Sequence, residues 1–385
     1  MMKTLVRLMI FGFLFTSAAS TLGQTTTVEL DSNPASVLTG RQWRAVDAAV
    51  DRALVYVSKQ QRRDGSFPAP SAGQPAITSL CAMAILSRGY RPGEGQYGKQ
   101  LEKAIDYVLS KQTKTGFFAA RSAEPYLQRD LYGSQWDTVR AHAFYNHAIA
   151  SLMLTELYGM TNGQQQKRMK VGIEKALGLS RKYQKNKVRA RDEGGWRYMF
   201  HNNNAEADLS VTAWQLMFLR SAKNAGFDVP KEYITDAMGF VHRCYDEDRK
   251  RFRYAFSEPR YTRAMCGAGI LSLSLGGEHD TPAALGAANS LLGDSFDRYN
   301  DASQYPHGQY HYSVYYATLG MFQIGGKHWE EFYPPIVATL LKNQNRDGSW
   351  DRESSGAPSF GGIYTTSLMV MCLTIGDQMV PVYQR

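Results

Sequence analysis

A seven-residue pattern recurs along this chain and leaves few folds open to it. Gln61-Arg62-Arg63-Asp64-Gly65-Ser66-Phe67 and Gln344-Asn345-Arg346-Asp347-Gly348-Ser349-Trp350 both read Gln-x-x-x-Gly-x-aromatic, and Gln112 to Phe118 repeats them with Gly116 and Phe118 in register. The first interval is 51 residues, and the 232 residues from Gln112 to Gln344 divide into four intervals of 58. Three degenerate copies are therefore expected between them. They are Gln184 leading, after an insertion, to Gly194-Gly195-Trp196; Cys244 leading to Phe252; and Leu292 to Tyr299. Units of this length cannot bury a core alone and must stack on one another.

The flanks of each copy set the architecture. Before the pattern stands an amphipathic helix: Val46, Ala49, Val50, Ala53, Leu54 and Val57 keep to one helical face, as do Leu101, Ala104, Ile105, Val108 and Leu109. The series continues with Ile173, Ala176 and Leu177, then Ile234, Ala237, Met238 and Val241, then Ala284, Ala287, Ala288, Leu291 and Leu292. A sixth such helix is expected to start after Pro334-Pro335, since proline suits a first helical turn. After each pattern comes a segment apolar nearly all round: Ile77–Leu86, Ala148–Leu157, Val211–Leu219, Ala264–Leu275, Val314–Ile324 and Thr366–Ile375. A helix with no polar face is buried on all sides. Six pairs of this kind predict an all-α chain, an (α/α)6 toroid with amphipathic helices outside and buried ones inside. Within the pattern, Gly supplies the positive φ needed to leave a helix, Gln bonds free backbone groups and the aromatic ring packs beneath the turn.

The toroid is expected over residues 41–385, one ring where 385 residues would ordinarily suggest two or three domains. Residues 1–20 read as a cleavable signal peptide, with Lys3 and Arg7 ahead of the apolar run Leu8 to Phe15 and small residues through Ala18-Ala19-Ser20. Residues 21–40 read as a flexible leader. The protein is thus expected to be exported, to the periplasm or beyond, with no transmembrane span in the remainder. Loss of the signal removes two basic residues and no acidic ones, so the net charge falls from +9 to +7. The basic runs Arg181 to Arg191 and Arg249 to Arg253 fall in outer loops and read as solvated, so no nucleic-acid partner is expected. The four cysteines, Cys81, Cys244, Cys266 and Cys372, match no zinc spacing; buried thiols are expected, with one disulfide left open.

The repeats resemble the QW repeats of the terpenoid cyclase and protein prenyltransferase superfamily, over about Arg41 to Ile375. That resemblance implies the toroid and, in the cyclases, an isoprenoid in its central cavity. Cyclases of the squalene-hopene type protonate their substrate from an Asp-rich motif at the start of an inner helix. The matching stretch here is Ala205-Glu206-Ala207-Asp208-Leu209-Ser210, in which Asp208 keeps the last aspartate while Ala207 replaces the central one. Glu206 stands two residues from Asp208, and paired carboxylates can raise one another's pKa; Asp208 is equally a preferred N-cap for the helix through Trp214. Prenyltransferase β-subunits bind zinc through Asp, Cys and a distant His. His311 takes the histidine's place, but no Asp-x-Cys partner exists, so neither zinc nor another cofactor is expected. Cys266-Gly267-Ala268-Gly269 lacks the Gln of a thioester sequence.

In such a ring the inner helices present their N-terminal ends to one mouth. Read at that register, the chain offers Trp136, Asp137, Arg140, His142, Asn146 and His147, then Glu206 and Asp208, Tyr261 and Arg263, Tyr310, His311, Tyr312 and Tyr315, and Tyr364. Asp208 with Glu206 would serve as acid, His147 and His311 as polarising or proton-accepting groups, and the others as ligand contacts, the aromatics by cation-π or stacking. His147 is read as standing in the same repeat register as Asp208 and His311. Two classes of function follow: an exported enzyme or carrier of an isoprenoid, or a non-catalytic toroid binding a small molecule or protein in that cavity. A carbohydrate-active toroid is a further alternative.

Overall fold

The computed structural model describes residues 34–119, 134–185, 189–198, 206–303, 309–354 and 360–384, with side chains described from Ala141 in the helix that starts at Ser134. Residues 1–33, which include the expected signal peptide and most of the expected leader, lie outside the described residues. Twelve α-helices alternate along these residues: α1 (Gly40–Lys59), α2 (Ala76–Ser87), α3 (Gly98–Ser110), α4 (Ser134–Leu157), α5 (Gly163–Lys185), α6 (Leu209–Asn224), α7 (Lys231–Cys244), α8 (Arg263–Leu275), α9 (Pro282–Leu292), α10 (Tyr310–Ile324), α11 (Gly326–Lys342) and α12 (Gly362–Leu373). The one sheet among them is the two-residue hairpin β1 (Tyr245–Asp246) and β2 (Arg251–Phe252).

The even-numbered helices pack in sequence, α2 on α4, α4 on α6, α6 on α8, α8 on α10 and α10 on α12, and α12 closes onto α2. Burial separates the two layers. In α1 only one stripe is buried, Val46, Ala49, Val50, Ala53, Leu54 and Val57, whereas every residue of α2 is buried. This is the (α/α)6 toroid that the repeat and its flanks imply.

The repeated pattern acts as a stitch between neighbouring outer helices. The side-chain amide of Gln61 donates to Gly65 O in its own turn (3.0 Å) and to Gln100 O on α3 (2.8 Å). Gln112 does the same to Gly116 O (3.0 Å) and Gly172 O on α5 (2.7 Å), and Gln184 to Gly194 O (2.9 Å) and Tyr233 O on α7 (2.9 Å). Gln344 completes the circle, donating to Gly348 O (2.9 Å) and to Ala49 O on α1 (2.8 Å). The pattern glycines all have positive φ, and each lies against the carbonyl three residues beyond the one its Gln binds. A Cβ on Gly65, Gly116, Gly194 or Gly348 would fall 1.9 to 2.7 Å from the oxygen of Lys103, Lys175, Asp236 or Arg52. In the degenerate α7 turn, Cys244 replaces Gln and Arg251 makes the stitch instead, to Ser290 Oγ (2.8 Å), Ser290 O (3.0 Å) and Asp294 (2.7 Å) around the end of α9.

Two details of the helices depart from the sequence reading, whereas the cysteines follow it. Helix α11 begins at Gly326 and carries Pro334 and Pro335 inside it. Interior prolines cost about 3 kcal/mol or more each, and buried Trp329, Phe332 and Tyr333 anchor the helix through that region, with the Trp329 and Tyr333 rings stacked 4.1 Å apart. Helix α4 is 24 residues long, starting well ahead of Ala148. All four cysteines are free and buried.

Candidate functional site

A cavity of about 470 Å³ opens at the mouth formed by the N-terminal halves of the inner helices, and all six contribute to its wall. Part of the lining is apolar: Ala72, Gly73, Ala76, Ile77, Leu80, Ile149, Ala264, Met265 and Phe360. The rest carries hydroxyls and ring nitrogens, Tyr145, Tyr198, Ser210, Trp214, Tyr254, Thr262, Tyr312 and Tyr364, together with His142, Asn146, Gln309 and Arg260. A side chain at Gly73 would crowd this wall, because a Cβ there would come within 2.8 Å of the Phe360 ring.

Polar groups of the lining are bonded to one another. The Tyr145 hydroxyl pairs with Ser210 Oγ (2.6 Å), Ser210 with the Tyr312 hydroxyl (2.9 Å), and the Trp214 indole N–H donates to that same Tyr312 oxygen (3.1 Å). The Tyr198 and Tyr254 hydroxyls pair at 2.6 Å, and the Arg197 and Arg260 guanidiniums lie over the Tyr254 ring at 5.6 and 4.9 Å. Burial is the first cause that pushes these phenols above their ordinary range, Tyr312 to about 12 and Tyr145, Tyr198, Tyr254 and Tyr364 likewise upward. They are neutral hydrogen-bonding groups at pH 7, able to bind and orient polar atoms but not to serve as bases. No carboxylate is among the described lining residues.

Of the residues singled out from the sequence, His142, Asn146, Tyr312 and Tyr364 meet at this cavity. Asn146 is also tied to the frame: its side-chain N–H donates to Ala72 O (2.7 Å) and its oxygen accepts from Ala76 N (3.0 Å), at the start of α2. The His142 ring meets Phe360 edge-on at 5.1 Å. Trp136, Asp137 and Arg140 lie on the first turns of α4, and their side chains are outside the described residues.

The remaining candidates are placed elsewhere, each for a physical reason. Asp208 is fully buried behind the tyrosine wall, where its Oδ1 accepts Val211 N (2.8 Å) as the N-cap of α6. Its charge is one of the causes raising Tyr145, Tyr198, Tyr254 and Tyr312, after burial. Glu206 faces three guanidiniums, Arg197 (2.9 Å), Arg189 (3.2 Å) and Arg191 (3.8 Å), and accepts from Ser257 Oγ. Its charge is thus committed to a local cluster.

His147 is one helical turn deeper than its expected register. Its Nδ1 accepts the Phe118 amide (3.4 Å), the bond that Thr78 makes to Phe67, Thr212 to Trp196 and Thr366 to Trp350. The ring stacks on Phe117 at 5.0 Å, and burial brings its pKa down to about 3. His311 is fully buried between Tyr299 (3.1 Å) and Glu353 (3.2 Å), while Glu353 also accepts from Tyr312 N (3.0 Å). This cluster holds the start of α10 to the two loops beside it. Tyr310 donates to Phe296 O (2.8 Å), Tyr315 pairs with Tyr383 (2.5 Å), Tyr261 donates to Asp246 (2.6 Å) and Arg263 donates to Ser295 O (2.5 Å) while lying over Phe296. None of these four lines the cavity. Among the described residues no cluster of His, Cys, Asp or Glu could hold a metal ion, and no helix is long and apolar enough to cross a membrane.

No family model and no curated protein matches the chain. Solved structures with the same fold do. The type II terpene cyclase MstE from Scytonema is 13% identical over 88% of this chain and 99% of that one, with a TM-score of 0.56. The same cyclase has been solved with its substrate geranylgeranyl dihydroxybenzoate, with 13% identity, 89% and 100% coverage and a TM-score of 0.55. The α-1,6-mannanase GH76A of Salegentibacter sp. HEL1_6 is 10% identical over 87% and 99% of the two chains, with a TM-score of 0.59. At these identities the likeness is one of fold: this chain shares the α/α toroid of terpene cyclases and mannanases.

Proposed function

We propose that the protein binds a largely apolar, isoprenoid-type small molecule carrying hydroxyl or comparable polar groups. The observation that carries this reading is the make-up of the cavity wall, aliphatic side chains together with a hydrogen-bonded tyrosine and indole network. Its volume of about 470 Å³ falls in the range of small-molecule sites, about 300–1,000 Å³. The fold's occurrence in a cyclase solved with a geranylgeranyl substrate supports the ligand class.

The reading is one of binding rather than acid-initiated cyclisation. A general acid must reach the proton acceptor within about 2.6–3.2 Å or through one water, and Asp208 and Glu206 are committed to a helix cap and an arginine cluster. Glycoside hydrolysis by the usual route needs two carboxylates flanking the bond, and the described lining offers none. Export completes the proposal, supported by the Lys3 and Arg7 segment with its apolar run and small residues.

Calorimetric titration with geranylgeraniol, squalene and an α-1,6-mannose oligosaccharide tests it. Saturable binding of an isoprenoid is expected, weakened at least tenfold in Trp214→Ala, with no product formed by wild type or Asp208→Asn. Binding of the oligosaccharide alone would overturn the ligand class, and turnover abolished by Asp208→Asn would overturn the non-catalytic reading. Deletion of residues 2–20 is expected to leave the protein inside the cell, measured by fractionation.

A further inference from the structure

The ring has a second mouth, at the C-terminal ends of the inner helices, and a short piece of chain crosses it. After α12 the backbone turns through Ile375–Asp377 and Gln378 (φ 49) and runs as Val380–Tyr383 to α6, the inner helix diametrically opposite α12 in the order of packing. Val380, Val382 and Tyr383 are buried to within 3% exposure, although only ten or so residues separate them from the end of α12. The segment is held by hydrogen bonds to α4 and α10. Val382 N–H donates to Glu156 Oε2 at the end of α4 (3.1 Å), Gln323 at the end of α10 donates to Tyr383 O (3.0 Å), and the Tyr383 hydroxyl pairs with Tyr315 (2.5 Å). Tyr315 in turn stacks on Trp214 at 5.5 Å, and Trp214 lines the cavity on the far side.

We propose that Val380–Tyr383 is a proton-coupled stopper in the second mouth of the toroid, docked on the buried Glu156 carboxyl behind the stacked Tyr315 and Trp214 rings that separate it from the cavity. Glu156 is 2% exposed. The groups that meet it are neutral: the Ser221 hydroxyl from α6, which donates to Oε1, the Thr155 hydroxyl bonded to that Ser221, and the Val382 amide from the segment itself. The Tyr383 phenol, paired with Tyr315, is within electrostatic reach of it and is held protonated by burial. No cation among the described residues pairs with it, so a charge on Glu156 is buried without a counter-charge, which is costly. Undocking the segment returns the carboxyl to water.

Burial holds Glu156 up at about 7 against an ordinary 4.5. Docking therefore favours the protonated form: it is firmest below the ordinary carboxyl range, weakens as pH rises through about 7 and levels off above. The span from 4.5 to about 7 caps the loss at roughly 300-fold in the docking equilibrium. The inference concerns the segment and holds whatever ligand the first mouth takes.

Amide hydrogen exchange on the full chain, corrected for intrinsic rates, tests it at pH 5 and pH 8.5. Protection of the Val382 and Tyr383 amides is expected to fall at least tenfold at the higher pH, with inner-helix amides unchanged, and Glu156→Gln is expected to stay protected at both. Equal protection of wild type at the two pH values, or the same fall in Glu156→Gln, would overturn the coupling. Closure is tested by a thiol reagent, because Cys372 on α12 is fully buried within electrostatic reach of Tyr383. Removal of Met379 onward should make Cys372 the single reactive thiol, and Tyr383→Ala should do the same in the full chain if the truncated protein does not fold. A folded variant in which Cys372 stays unreactive would overturn the stopper.

Discussion

Replacing Gly348 with alanine is a direct test of how the ring closes. Gly348 has φ +92, a region that costs a residue with a Cβ about 1–2 kcal/mol. That Cβ would also sit 2.4 Å from Arg52 O and 2.6 Å from its carbonyl carbon, so α1 must move away from the turn. The same displacement strains the two Gln344 bonds, to Gly348 O and Ala49 O, each worth about 1 kcal/mol net. The expected cost is about 3–4 kcal/mol. Gly159 supplies the control, with φ +87 but no atom within 4 Å of a Cβ, so Gly159→Ala should cost only the about 1–2 kcal/mol of backbone conformation. At about 2.1 cal/mol/K per residue, a unit of roughly 350 residues shifts its melting temperature by about 1.4 °C per kcal/mol. Scanning calorimetry should therefore find Gly348→Ala lower by about 4–6 °C and Gly159→Ala by about 1–3 °C. Equal shifts would refute the argument that close approach to the neighbouring helix, beyond positive φ, is why glycine stands in the pattern.

Three further outcomes are expected. Because His147 is neutral in the folded state, with its pKa down at about 3 against 6.5 unfolded, the unfolded chain binds the extra proton as pH falls. Stability from this site is complete above about 6.5 and is lost toward 3, and denaturant titrations of His147→Asn should show a flatter decline over that window than wild type. Asp208→Asn should cost little, since asparagine caps a helix as well as aspartate, whereas Asp208→Ala should cost about 1 kcal/mol in thermal unfolding. Tyr312→Phe removes the oxygen shared by Ser210 and the Trp214 N–H, and should weaken a hydroxyl-bearing ligand by about tenfold while leaving a pure hydrocarbon such as squalene unaffected in calorimetry.

The ring was legible in the sequence because its two signals are local: a pattern whose Gln and Gly stand four residues apart in three of its copies and bond within one turn, and helices whose polar faces are present or absent. The site was legible only in part. His142, Asn146, Tyr312 and Tyr364 lie on inner helices, where counting from the repeat reaches them. Tyr198, Tyr254, Arg260 and Phe360 come from connections, which have no period to count. His147 shows how an insertion hides a register: Trp196 and Trp350 each stand 16 residues before the threonine that accepts their amide, whereas Phe118 stands 29 before His147. Aligned on that bond, His147 belongs with Thr78, Thr212 and Thr366 as a core acceptor. Ser210 and Trp214 follow Asp208 on α6 and Tyr145 stands two residues before His147, so the same count reaches them, but uncharged hydroxyl and indole groups carry no signal in sequence that sets them apart from core residues.

The bond from Gln344 to Ala49 is chemically the same as those that join α1 to α3, α3 to α5 and α5 to α7, so the seam between α11 and α1 is not a weaker joint. A ring whose closing seam matches its other stitched seams need not start there. Opening the chain at another outer turn, such as the one after Leu292, and linking the present ends should give a protein that assembles the same circle in a different order. During synthesis on the ribosome, by contrast, the side of α1 that accepts Gln344 waits for almost the whole chain to emerge, and stays uncovered until it does.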